Sequence, residues 1–127
     1  MDAPLFKFPS DFPQCCPPSD AHLSDGLVVF RAVANDPPKR KDFFPLRSRS
    51  VTSTCDDFAT SVNTDINDLV EKRKQIPGLR KRYPLVAKGY ISICSGVTKE
   101  APTDNDKSHV NWWIKENFDP SLFFNVE

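Results

Sequence analysis

Proline constrains this chain more than any other residue type: 12 prolines stand against 4 glycines in 127 residues. Each proline fixes φ and removes a backbone donor. Here they fall mostly near the ends of apolar runs, which predicts many short elements joined by rigid loops. The length suits one domain with a single core. Nothing approaches the roughly 18 consecutive apolar residues of a membrane span. The opening "MDAPLFKFPSDFP" has no basic stretch followed by an apolar one, so it does not read as a secretory signal. The expectation is a soluble, cytoplasmic, single-domain chain over residues 1–127.

Residues 1–25 read as an extended lead-in packed on the core through Leu5, Phe6, Phe8 and Phe12. "GLVVFRAV", 26–33, is β-branched and aromatic and opens on glycine, which predicts a strand. The polar, basic stretch 35–57 is too long for an ordinary connection and reads as functional, mobile, or holding a short helix around Lys41 to Leu46. "FATSV", 58–62, reads as a short strand. Thr64 is placed to cap a helix over 65–76, with Asp65 and Asp68 favourable in its first turn. Its apolar stripe is Ile66, Leu69 and Val70, and Pro77 stops it. "LVAKGYISIC", 85–94, is a second clear strand, and 95–108 reads as an exposed polar loop. "HVNWWI" alternates as a strand, and "DPSLFFNV" reads as a turn and a short final strand. The order implies an α+β fold: a small antiparallel or mixed sheet, one main helix and long proline-rich loops.

The formal net charge is zero, yet residues 39–82 hold 11 of the 17 basic residues and only 6 acidic ones. Such asymmetry marks either a solvated helix face or a face for phosphates or an acidic partner. Cysteines stand at 15, 16, 55 and 94, with no C-x-x-C spacing for zinc. With no export signal all four are expected as reduced thiols, Cys55 and Cys94 as small core residues.

No P-loop, dinucleotide-binding or nucleophile-elbow motif is present. Neither His22 nor His109 has local partners at metal-ligand spacing, so no metal site is expected. Three polar interruptions on or beside apolar strands remain. Arg31 sits inside "VVFRAV" and needs a carboxylate or phosphate partner if buried. Thr60 and Ser61 end a strand just before a helix, suited to ribose or amide contacts or to ordinary turn duties. His109 leads the strand of Trp112 and Trp113, whose rings must face opposite sides. Either both rings cover the ends of a small core, or one is core and the other stacks on a base or nicotinamide.

Over nearly its whole length the chain resembles a family of small uncharacterised bacterial proteins. The landmarks are "FPSDFPQCCPPSDA", "GLVVFRAVANDPPKRKDF", "CDDFATSVNTDINDLVEKRKQIPGLRK", "VAKGYI" and the terminal "KSHVNWWIKENFDPSLFF" with its SHxxWW motif. No activity comes with that resemblance. A remoter one does carry chemistry. An arginine in the first strand, "TS" ending the second, a helix behind it and then "VAKGYI" is similar to the order in ADP-ribosyltransferase-like domains. There the arginine contacts NAD and the Ser/Thr supports the nicotinamide ribose, which implies those roles for Arg31 and for Thr60 and Ser61. The glutamate usual at the third position is missing. His109 stands near its place, and it cannot offset the positive charge of an oxocarbenium-like sugar.

Three functions compete on this reading. The first is an ADP-ribosyltransferase-like enzyme, a toxin or phage-defence effector, with NAD in a cleft of Arg31, Thr60, Ser61, His109 and Trp112. Its catalytic residues would be Arg31, Ser61 and His109. The second is a nucleic-acid or phosphate binder using the 39–82 region, chiefly Lys72, Arg73, Lys74, Arg80, Lys81 and Arg82, with Lys39, Arg40, Lys41, Arg47 and Arg49 alongside. The third is a protein-interaction module, the small partner in a two-component bacterial system, contacting the product of a neighbouring gene through Phe43, Phe44, Phe123 and Phe124.

Overall fold

The computed structural model describes residues 6–45 and 54–127. Leu5, Leu46, Arg47 and Arg49 lie outside the described residues. The fold is α+β, a six-stranded antiparallel sheet with one main helix. The strands are β1 (Leu27–Val33), β2 (Thr60–Asn63), β3 (Leu85–Ile91), β4 (Gly96–Glu100), β5 (His109–Ile114) and β6 (Phe124–Val126). Their order across the sheet is β4-β5-β2-β1-β3-β6. The helices are α1 (Ile66–Gln75) and α2 (Pro77–Arg82), and 3₁₀ turns span Arg40–Phe43, Cys55–Phe58 and Pro120–Phe123.

Register decides what each face carries, because directly opposed residues in an antiparallel pair point the same way. Thr60 opposes Trp112, Val62 opposes Val110, and Arg31 opposes Ala87. These lie on the core face with Val29, Val33, Ile91 and Phe124, closed by Phe43 from the 40–43 turn. On the other face Asn63 opposes both Phe30 and His109, and Ser61 opposes Asn111. Helix α1 lies against β1 and β2. Its Lys72 reaches Asn63 on that second face.

Local chemistry accounts for most elements. The N-cap of α1 is Asp65, whose carboxylate accepts from the Asn67 N–H at 2.9 Å, so the cap falls one residue beyond the expected Thr64. Of the expected apolar stripe only Leu69 is fully buried, and Val70 is exposed. Pro77 ends α1 and opens α2 at a position where no N–H is needed. In β3, Gly89 admits the close approach of β6, since a Cβ there would collide with the Phe123 carbonyl and the Phe124 ring. No helix among the described residues is long and apolar enough to cross a membrane.

Two expectations are corrected. The stretch 95–108 is not an open loop: Gly96–Glu100 pairs with β5 along its whole length. Thr98 is buried, exchanges backbone hydrogen bonds with His22 and meets the Ser24 hydroxyl at 2.6 Å. That segment was missed because its side chains are largely polar. The four cysteines are not all reduced either. Cys16 and Cys55 form a disulfide, Cys55 is only half-buried, and Cys94 and Cys15 are exposed. The bridge ties the lead-in to the Cys55–Phe58 turn, where Phe12 packs on Phe58 with centroids 5.5 Å apart.

Candidate functional site

Arg31 is 3% exposed, and all of its guanidinium nitrogens are engaged by protein. Nε donates to the Asp42 carbonyl at 2.7 Å, Nη2 to the Phe44 carbonyl at 2.8 Å, and Nη1 to the Ser61 carbonyl at 2.6 Å. The Thr60 hydroxyl donates to the Phe43 carbonyl at 2.6 Å. Three successive carbonyls, 42 to 44, are therefore held by Arg31, Thr60 and Arg31 again. Burial lowers the Arg31 pKa to about 10, against the pull of Tyr83 and Asp42, so the group is still a cation at neutral pH. The Asp42 carboxylate accepts from the backbone N–H groups of Ala34 and Lys39, both at 2.9 Å, and from Asn35. Burial would raise its pKa. Those hydrogen bonds and the charge of Arg31 outweigh burial and hold it below the usual value.

Ser61 and His109 do come together, on the opposite face. Their Oγ and Nε2 atoms are 2.8 Å apart, and His109 Nδ1 lies 3.1 Å from the Ala101 carbonyl. A carbonyl only accepts, so Nδ1 carries the proton in the neutral ring and Nε2 accepts from the serine hydroxyl. Burial lowers the His109 pKa below 6.5, the Ala101 carbonyl opposes that, and the charge of Lys72 adds to it. Lys72 in turn lies 2.6 Å from Asp106, with both side chains largely shielded. Asp106 also accepts from Asn63 Nδ2 at 2.6 Å. A hydroxyl against a neutral imidazole is one ingredient of nucleophilic chemistry.

The expected NAD cleft is not formed as a unit. Arg31, Thr60 and Trp112 point to the core face, while Ser61 and His109 point to the other. The tryptophans do split between faces as alternation requires, but both faces are covered. Trp112 and Trp113 are 1% and 0% exposed, donating to Ser95 Oγ and to the Cys55 carbonyl respectively. Neither offers a ring to a ligand. The expected contact aromatics also divide: Phe43 and Phe124 are core residues with centroids 4.7 Å apart, Phe123 is half-buried, and Phe44 is 55% exposed.

The basic residues separate by role in a way their spacing does not reveal. Lys72 is held by Asp106 and Asn63, and the Arg82 guanidinium lies over the Tyr83 ring. Lys39, Arg40 and Lys41 are exposed around the 40–43 turn, away from α1 in sequence. Arg73, Lys74, Arg80 and Lys81 instead line one shallow groove where α1 meets α2, together with Pro77 and Pro84. No acidic residue lines it among the described residues. Lys74 approaches Glu71 at 3.9 Å, an exposed contact of little strength. Arg73 donates from Nη2 to the Pro84 carbonyl at 2.6 Å, and its shielded Nε has no hydrogen-bond partner among the described residues. Helix α2 buries none of its residues. Charge density flagged this region in the sequence, but which cations stay uncommitted depended on partners as distant as Asp106.

No family model matches the chain, and no curated protein or solved structure matches it either.

Proposed function

We propose that this chain binds nucleic acid through its phosphate backbone, at the corner between α1 and α2. The observation that carries the reading is the groove of Arg73, Lys74, Arg80 and Lys81 with no carboxylate in its lining. One further feature supports it. Helix α2 carries Arg80, Lys81 and Arg82 in its last turn while contributing nothing to the core, so core packing does not account for them. The chain as a whole is neutral, so attraction is local to this corner and sequence readout is not implied.

The test is fluorescence anisotropy with labelled 20-mers of single-stranded and duplex DNA and RNA across a salt series. Four phosphate contacts correspond to a log–log salt slope of about −3 to −4 on duplex DNA. Absence of binding at low salt sinks the proposal. So does binding that Arg80→Glu with Lys81→Glu leaves unchanged.

A further inference from the structure

Away from that corner lies a hollow of about 720 Å³ at the end of the sheet where β2 begins and β5 ends. Its size falls within the roughly 300–1,000 Å³ typical of small-molecule sites. We infer that it takes a small planar aromatic anion.

The lining sets the body of the ligand. Five phenylalanines contribute: Phe12, Phe43, Phe44, Phe58 and Phe118. Phe43 is almost fully buried and Phe44 more than half exposed, so the rings run from the protein interior out to solvent. Phenyl rings without hydroxyls favour an apolar body, and rings at several inclinations offer both faces and edges to a flat one. The one hydroxyl that the described residues bring to the wall, on Thr60, already donates to the Phe43 carbonyl. The wall itself is fixed, since the Cys16–Cys55 bridge joins the two segments that bring Phe12 against Phe58.

The charged lining sets the head group. Glu116 is 3.5 Å from Lys7, and Asp11 is not free. Lys115 Nζ lies 5.9 Å from the Phe6 ring centroid, and Arg40 is exposed with no ion pair among the described residues. Glu116 has its counter-charge in Lys7, outside the hollow, while Arg40 and Lys115 bring two cations to the lining. Arg40 supplies a planar fork suited to a carboxylate or sulfonate.

The experiment is calorimetric titration of the full chain with 2-naphthoate, neutral 2-naphthol, 2-naphthylmethylammonium and octanoate. The expected result is saturable one-to-one binding of naphthoate, tighter than the other three. Arg40→Ala should weaken naphthoate by about tenfold and leave 2-naphthol unchanged. Phe44→Ala, at an exposed ring the fold does not need, should weaken both. Arg80→Glu should change neither, which separates this site from the α1–α2 groove. Non-saturable naphthoate binding, equal binding of the ammonium compound or of octanoate, or an Arg40→Ala variant with wild-type affinity would each overturn the inference.

Discussion

The protein treats its arginines in two opposite ways. Arg31 is buried and hydrogen-bonded to three carbonyls, which fastens the 42–44 segment onto the sheet beside a carboxylate held by three neighbouring residues. Arg80 and Lys81 stand on a helix that buries nothing, facing a groove without a counter-charge. A buried cation is stable only when surrounding groups satisfy it, and once satisfied it has nothing left for a ligand. The exposed cations cost the fold little and keep their charge available. In this chain a cation's isolation from partners, rather than its prominence in an apolar run, is what leaves its charge available, and the proposed function rests on that difference.

The largest expected effect lies on the closed side. Arg31→Ala should destabilise the protein by about 3–5 kcal/mol in denaturant unfolding, because it strands buried acceptors and leaves Asp42 without its cation. A loss below about 1 kcal/mol would break the contrast between the two regions. Next comes the disulfide, which closes a separation of 39 residues. Reducing Cys16–Cys55 should lower stability by about 2–4 kcal/mol, read from matched unfolding curves with and without reductant.

A smaller effect is expected from His109. Its folded pKa lies below its ordinary 6.5, so between those two values the unfolded chain binds more protons than the folded one. Stability should therefore fall as pH drops through 6.5 and level off below the lowered value. A His109→Gln variant should lack that segment of the profile, and an identical profile in the variant would remove the assignment. Smallest of all is the stability change for Arg80→Glu with Lys81→Glu, expected within about 0.5 kcal/mol at exposed positions. The same variant should shift the salt slope of nucleic-acid binding toward zero by about two.

Legibility in the sequence followed the same divide. β1, β3, β5 and α1 were readable because β-branched runs, alternation and an acidic first turn state their period locally. The strand Gly96–Glu100 was not, since its five residues, GVTKE, are mostly polar and carry no β-branched apolar run. Arg31 was rightly singled out as needing a partner. In place of the expected carboxylate or phosphate, the partners are three backbone carbonyls, of Asp42, Phe44 and Ser61, which have no sequence signature. The expected cleft of Arg31, Ser61 and His109 side chains does not form for a geometric reason: strand parity puts the Arg31 side chain on one face and the other two on the opposite one, so Arg31 meets only the Ser61 carbonyl. The Cys16–Cys55 pairing depended on how the proline-rich lead-in folds back, and spacing alone does not encode that.

The most direct measurement compares two variants in one binding assay. Wild type, Arg31→Lys and Arg80→Glu with Lys81→Glu are titrated against the same labelled duplex at fixed low salt, each after its unfolding curve has been recorded. The account predicts that Arg31→Lys loses stability yet binds like wild type while folded, and that the double reversal keeps its stability and loses at least about tenfold in affinity. Wild-type affinity in the double reversal, or loss of binding in folded Arg31→Lys, would contradict it.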